Sequence, residues 1–410
     1  RPCLTGPPRR LPPDPVIFVG RAAAAARLTE ALCDGGVAVV HGLAGAGKTT
    51  LAVRTAYQLA HRFPDGQVLV DMRGGSGGEP TGPLEVVTRV ARVLGVPTLP
   101  DADAAPSAWQ NLLAGRRVLV VLDDVATAAQ VRELVPASPG SAVVLTARPA
   151  LSTLDGAVPI RLGMLATGDG RALLHGHLGL DRADQPAADA DAVVQLCDGL
   201  PLALRLAAAR LAAHPAWSIA GFAARLAEPR ARLELLAGDD LSMRASLRAA
   251  VGLLERFGQQ EAISCLRRLG ALDLAVVDTE AVGALLERSP VGGELVAEQL
   301  VDVGLAHALS IGCYLIPGLT RIYARELPGG DPAADAAAVR RVVEHYRAEA
   351  AGQLATLDHE RSGAAGPTRA QVSAWFRRKR ATLTLLAARD GTDELSKLVT
   401  QLRAAVMLAR

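Results

Sequence analysis

Three lysines stand against 41 arginines in this chain of 410 residues, and one of the three, Lys48, lies in the run HGLAGAGKTT at 41–50. Gly42-x-x-x-x-Gly47-Lys48-Thr49 has the spacing of a phosphate-binding loop. Its glycines let backbone N–H groups turn inward around phosphate oxygens, and the positive end of a following helix adds to the field. Such a loop encloses a compact ammonium and not a planar guanidinium, which is a reason for lysine in an arginine-rich chain. The Thr49 hydroxyl is suited to Mg²⁺. A second run, VLVVLDD at 118–124, ends in two carboxylates: Asp123 can hold Mg²⁺, and Asp124 can orient or deprotonate an attacking water. A third, AVVLTAR at 142–148, ends in Arg148, a cation able to sense or balance a γ-phosphate.

These groups act together only if strands deliver them to one edge of a sheet. The glycine loop follows the apolar run VAVVHG (37–42) and precedes the amphipathic TTLAVRTAYQLAHRF. With QVLVDMR (67–73), VLVVLDD, AVVLTAR and VPIRLG (158–163), short apolar runs alternate with helical stretches. That pattern predicts a parallel sheet with helices on both faces and ligands at the carboxyl ends of its strands. The expected fold class is multidomain α/β plus α. It comprises a proline-rich linker (1–16), a P-loop NTPase sheet of strand order 5-1-4-3-2 (17–165) and a helical domain (166–238). A winged-helix domain with a hairpin around HALSIGCYLI (239–328) and a C-terminal helical region leading toward repeats (329–410) complete it. RGGSGGEPTGP (73–83) reads as a mobile loop, and RSGAAGPT (361–368) as a break in the last helical region.

Composition narrows the function classes. Half of the residues are apolar, enough for about two to four cores. A net charge of +2 gives no global sign of nucleic-acid or acidic-membrane binding. Five scattered cysteines without a C-x-x-C pair suggest neither a disulfide framework nor a zinc site. HGH at 175–177 lacks a second ligand cluster and reads as chance spacing. No uninterrupted apolar run reaches spanning length and no signal peptide opens the chain, so a cytoplasmic protein with no membrane partner is expected. The first residue is Arg, and LRAAVMLAR stops inside an apolar-periodic helix, so a piece of a longer protein is expected. RRKR (377–380) reads as a solvated face, with Trp375 and Phe376 packing inward.

FVGR (18–21), GLAGAGKTT, VLVDMRG (68–74), VLVVLDDV, AVVLTAR and GLPLA (199–203) come in an order that resembles the NB-ARC ATPases, members of the STAND class of signal-transduction NTPases. The likeness is strongest to actinomycete regulators of the AfsR type, and it extends over residues 9–410. The resemblance implies that Val19 and Arg21 flank an adenine. It has Gly42, Ala44, Gly45, Ala46, Gly47, Lys48, Thr49 and Thr50 wrapping the phosphates of ATP or ADP. Thr49 and Asp123 would serve Mg²⁺, Asp124 would be the base and Arg148 the sensor. Pro201 would press on the adenine from the helical domain. Read by itself, Pro201 is also an ordinary helix start. The family's winged-helix domain closes on Tyr-x-x-His-Asp-Leu-x-Arg-x-Tyr-Ala. Here YLIPGLTRIYA keeps Tyr314, Leu319, Arg321, Tyr323 and Ala324, but places Pro317 and Gly318 where His and Asp stand. The family's His touches the ADP β-phosphate, and neither Pro nor Gly has a side-chain donor to replace it. Arg321 and His307 are candidates for taking over that contact.

The function expected is an ATP/ADP-dependent switch with slow hydrolysis, a homo-oligomer on activation, touching DNA only through an effector outside this chain. Two other readings compete with it. A winged helix that itself reads DNA needs a basic recognition helix, yet VGGELVAEQLVDVG (291–304) carries Glu294, Glu298 and Asp302 and no Lys or Arg. A metabolic P-loop enzyme such as a kinase needs an acceptor site that the helical succession does not suggest.

Overall fold

The structure, a computed structural model, describes residues 9–33, 35–75, 78–96, 105–135, 140–179, 186–360, 369–388 and 393–407. The break expected at 361–368, the first eight residues of the expected linker, and Ser76 and Gly77 of the expected mobile loop lie outside the described residues. The chain divides into two compact units: Arg1–Gln259 with Val301–His307, and Gln260–Leu300 with Ala308–Arg410.

The first unit is built on six strands: β1 (Arg9–Arg10), β2 (Val37–Gly42), β3 (Gly66–Asp71), β4 (Val118–Val125), β5 (Ala142–Ala147) and β6 (Ala157–Leu162). Their order is β1-β3-β4-β5-β2-β6, with every pairing parallel. From β6 to β3 this is the predicted 5-1-4-3-2. Beyond β3 the stretch read as linker contributes β1, so it is not a free spacer there. Asp14, four residues further on, meets Arg54 at 2.6 Å, and the Tyr57 hydroxyl donates to the Pro12 carbonyl at 3.0 Å.

Central strands carry unbroken apolar runs because helices cover both faces of the sheet. Val118 to Leu122 and Val143 to Leu145 are shut away from solvent. Edge strand β6 is more open: Ile160 and Leu162 are buried while Val158, Pro159 and Arg161 are exposed, and the proline is tolerated there. On one face, Val86, Val87 and Val90 of the helix Pro83–Val93 and Trp109 of the helix Ala105–Leu113 complete the core over β3, β4 and β5.

Five helices follow: Thr167–Leu178, Ala187–Leu196, Pro201–Ala213, Ile219–Ala227 and Pro229–Leu235. The helix Met243–Arg256 ends this stretch; the Ser242 side chain caps it by accepting from the Ala245 N–H at 2.9 Å.

From Gln260 on come the helices Gln260–Leu272, Thr279–Leu286, Pro290–Asp302 and Gly318–Arg325 and the strands β7 (Val276–Asp278), β8 (His307–Ser310) and β9 (Cys313–Leu315), in the order β7-β9-β8; all but Val301–His307 belong to the second unit. The hairpin falls where HALSIGCYLI placed it. The helices Pro332–Glu360, Arg369–Ala387 and Glu394–Met407 follow. Trp375 and Phe376 are buried as expected. Arg377, Arg378 and Arg380 are exposed, but Lys379 turns inward. Among the described residues, no helix is long and apolar enough to cross a membrane.

Candidate functional site

Parallel strands bring the carboxyl ends of β2, β4 and β5 side by side, and this edge gathers the residues singled out above. Gly42 closes β2 at φ 132°; a Cβ there would lie 2.1 Å from the Leu162 carbonyl oxygen, so no other residue fits. Lys48 begins the helix Lys48–Gln58, whose first N–H groups have no intrahelical partner. Its ammonium donates to the carbonyls of Gly42 and Leu43, each at 2.9 Å. Among the described residues, no carboxylate forms an ion pair with it. Loss of solvent pulls Lys48 down to about 7; Arg148 pulls the same way, and Asp124 and Asp123 oppose.

Thr49 and Asp123 meet directly: the Thr49 hydroxyl donates to Asp123 Oδ1 at 2.7 Å. A second hydroxyl, from Thr146 on β5, donates to the same oxygen at 2.5 Å. Burial raises the Asp123 carboxyl above the usual range. The two hydroxyl bonds oppose this, while Asp124 and Asp71 add to it. The register of β4 on β5 shifts between Leu122 and Val125, and Asp124 stands in that irregularity at φ 59°. A shift of this kind re-aims side chains at a strand end. The Asp124 N–H donates to Thr146 Oγ1 at 3.0 Å, and its Oδ2 accepts from the Gly75 N–H at 2.6 Å. Thr146 therefore ties the Asp123 carboxylate to the Asp124 backbone. Sequence reasoning passed over it, although a lone hydroxyl at the carboxyl end of an otherwise apolar strand is a usable signal.

Arg148 lies beside them. Burial lowers its pKa, opposed by Asp124. Its Nη1 donates to the Ser246 carbonyl at 3.4 Å, and its Nε is closed off from solvent with no partner.

Two further segments close on the glycine loop. Pro201 starts its helix where no N–H is needed. The next N–H, that of Leu202, donates to the Gly45 carbonyl at 3.1 Å, so the loop satisfies a helix end. A Cβ on Gly45, at φ 76°, would lie 3.1 Å from Leu202 Cβ; one on Gly47 would touch Pro201 at 3.7 Å. From the other side the Gly304 carbonyl accepts the Ala44 N–H at 3.0 Å. The Ala46 N–H likewise turns to the Leu43 carbonyl at 3.2 Å.

Arg21 braces the same region, its Nη2 donating to the Ala46 carbonyl at 3.1 Å and the Gly163 carbonyl at 2.6 Å. Val19 is half-buried two residues before it, and Thr50 is exposed. His307 reaches Arg161 at 3.0 Å, which holds its pKa below the ordinary histidine value together with burial, the larger cause. Arg321, the other candidate for the missing contact, pairs with Asp273 at 3.4 Å within the second unit. Pro317 stands just before the helix Gly318–Arg325 and offers it no side-chain cap.

A nucleotide fits these residues. Among the described residues Lys48 forms no ion pair and the Nε of Arg148 has no partner, and helix N–H groups converge on the loop; an anion answers all three. The Thr49 hydroxyl and the Asp123 carboxylate are hard oxygens of the kind Mg²⁺ takes.

Open parallel sheet, glycine loop and acidic strand end define a P-loop NTPase fold. Residues 22–153 match the family model for the NB-ARC domain, and the chain carries an NB-ARC domain. It is 35% identical over 391 residues to the regulatory protein AfsR of Streptomyces griseus, covering 90% of this chain and 40% of that protein. It is 36% identical over 367 residues to the AfsR of Streptomyces coelicolor, covering 85% of this chain and 36% of that one. The chain thus spans well under half the length of these relatives. Among solved structures, the Walker-type ATPase PABY2304 of Pyrococcus abyssi superposes with a TM-score of 0.52 at 13% identity. That match covers 79% of this chain and 99% of that one, a likeness of fold alone.

Proposed function

We propose that this chain is the ATP/ADP-dependent switch of a bacterial regulator of the STAND class, and that slow hydrolysis sets how long its active conformation lasts. The observation that carries this reading is the meeting of Lys48, the Thr49–Asp123 pair, Asp124 and Arg148 at one sheet edge, with Pro201 against Gly47. Gly45, Gly47, Lys48 and the start of the helix Lys48–Gln58 hold the phosphates, with Val19, Arg21 and Pro201 beside the base. Thr49 and Asp123 hold Mg²⁺, which supplies charge neutralisation for phosphoryl transfer when bound. Asp124 orients the attacking water, and Arg148 answers the charge of the γ-phosphate. A nucleotide gripped by both the sheet and the helix Pro201–Ala213 links two parts of the chain, and exchange of ADP for ATP shifts the balance between conformations. The active form is an oligomer.

The output, transcription of secondary-metabolism genes, is assigned to an effector outside these residues. The helix Pro290–Asp302 supports that assignment: it presents Val291, Leu295 and Glu298 to solvent and carries no basic residue, a poor surface for phosphates.

The test is titration of the whole chain with ADP and ATP, each with Mg²⁺, together with single-turnover hydrolysis by the native protein and Asp124→Asn. Binding of both nucleotides is expected, with slow turnover that Asp124→Asn reduces far more than it reduces affinity. A chain that binds neither nucleotide sinks the reading.

A further inference from the structure

The helix Met243–Arg256 touches three separate parts of the nucleotide site. Near its start, Met243 lies against the glycine loop: a Cβ on Gly45 would be 3.5 Å from Met243 Cε. One turn on, the Ser246 carbonyl accepts from Arg148 at 3.4 Å. At its last residue, Arg256 Nη1 donates to the Gly74 carbonyl at 2.7 Å, and Nη2 donates to the Gly78 carbonyl at 3.2 Å. Ten residues separate Ser246 from Arg256, about 15 Å along a helix, so one rigid rod spans the site.

Gly74 and Gly75 are the residues that hold Asp124. The Gly74 N–H donates to the Asp124 carbonyl at 2.7 Å, and the Gly75 N–H donates to Asp124 Oδ2 at 2.6 Å. There is no slack at this crossing. A Cβ on Gly75 would lie 3.2 Å from both Asp124 Oδ2 and Arg148 Nη2, and one on Gly74 would lie 2.3 Å from the Asp124 carbonyl oxygen. Asp124 is itself in the left-handed region at φ 59°, a conformation that surrounding bonds must maintain in a residue other than glycine.

We propose that Arg256 is a positioning residue for hydrolysis: by gripping the carbonyls of Gly74 and Gly78 it keeps the Gly75 N–H on Asp124, and so sets the direction of that carboxylate. The inference rests on the role given above to Asp124 and goes beyond it. It makes the Met243–Arg256 helix the element through which a movement of the chain after the sheet is felt at the hydrolytic carboxylate. A guanidinium suits the task because it reaches two carbonyls from one planar fork. Glycines suit the other side because only a chain without side chains approaches Asp124 so closely. The resemblance motifs do not include Arg256.

The test uses the full chain as Arg256→Ala and Arg256→Lys, each alone and combined with Asp124→Asn. Arg256 is exposed, so removing its side chain opens no core. Single-turnover ATP hydrolysis with Mg²⁺ is expected to slow about tenfold in Arg256→Ala, the effect of losing one well-made hydrogen bond, while ADP affinity and KM stay within about twofold. Arg256→Lys, which keeps a donor for one carbonyl, restores part of the rate. In the Asp124→Asn background Arg256→Ala adds no further loss, because two residues acting on one step are not additive. A second readout needs no nucleotide: hydrogen exchange at the Gly74 and Gly75 amides is faster in Arg256→Ala than in the native protein. If Arg256→Ala leaves rate and exchange unchanged, or slows both backgrounds equally, the inference is overturned while the role of Asp124 stands. If Asp124→Asn itself hydrolyses ATP at the native rate, the role of Asp124 falls and the inference falls with it.

Discussion

Lys48 lies in the glycine loop after β2 and donates to two backbone carbonyls; Lys379 lies on the helix Arg369–Ala387, bonded to the Asp278 carboxylate and 5.2 Å above the Tyr346 ring. Both are withdrawn from solvent, and burial draws both below the ordinary lysine value, to about 7 and about 8. Their surroundings differ in one respect. The charge of Lys379 is answered inside the protein, by an Asp278 that also accepts from the Tyr346 hydroxyl at 2.7 Å and caps the helix Thr279–Leu286. Lys48 forms no ion pair among the described residues: its ammonium bonds two carbonyls, while Asp124 and Asp123 favour its charge without bonding to it. A withdrawn cation with its counter-ion is part of the fold; one without it marks the place of an anion that comes from outside. The third lysine, Lys397, is exposed and belongs to neither case.

The strongest way to break this contrast is to remove each lysine in turn. Lys48→Ala is expected to lower ADP affinity by about a hundredfold, as loss of a charged donor to phosphate does. It should not destabilise the nucleotide-free protein. The Lys48 ammonium bonds two carbonyls and no carboxylate among the described residues, so its removal strands no buried charge. Lys379→Ala is expected to do the reverse. Affinity stays native, and thermal unfolding reports a loss of about 2 kcal/mol, because Asp278 is left buried without its cation. Calorimetric titration and melting of both variants read this directly, and equal loss of ADP binding in the two would erase the distinction.

A second test asks how tightly the awaited anion is held. The resemblance to the NB-ARC ATPases implies that a His in place of Pro317 adds a phosphate contact. Pro317→His with Gly318→Asp is expected to slow ADP dissociation roughly ten- to hundredfold and to shift the mass in solution toward monomer. Stopped-flow displacement of a fluorescent ADP measures the rate. Unchanged release in a folded variant would mean that these positions do not govern the nucleotide in this chain.

The smallest effect is on protons. With Lys48 near 7 in the empty site, the ammonium is charged below that pH and mostly neutral at pH 8. Phosphate oxygens favour the charged form, so ADP binding at pH 8 takes up close to one proton and binding at pH 6 takes up almost none from this group. Affinity therefore falls as pH rises above 7, by up to about tenfold per unit. Titration calorimetry at pH 8 in buffers of different ionisation enthalpy counts the protons, and Lys48→Ala removes the uptake. Proton release on binding to the native protein would contradict the assignment.

Much of this protein is legible along the chain because it is written in local spacing. The interval from Gly42 to Thr49, the apolar runs of β2, β4 and β5, and the strand order they imply need only near neighbours and the geometry of parallel sheets. So does Pro201 at a helix start. Other features depend on which distant segments meet, and no local rule supplies them. Thr146 had to be aligned with Asp123 across a strand pair before its hydroxyl could tie that carboxylate to the Asp124 backbone N–H. Arg9 and Arg10 looked like linker until β3 offered them an open edge. The N–H of Ala44, within the glycine loop, bonds to Gly304, which lies 260 residues away in the chain. Lys379 read as one charge of a solvated run until Asp278 and Tyr346 closed over it. Arg256, which no sequence motif includes, reaches back to Gly74 at a separation of 182 residues. A hydrogen bond is decided by position within a few tenths of an ångström, and only the packed chain brings these groups that close.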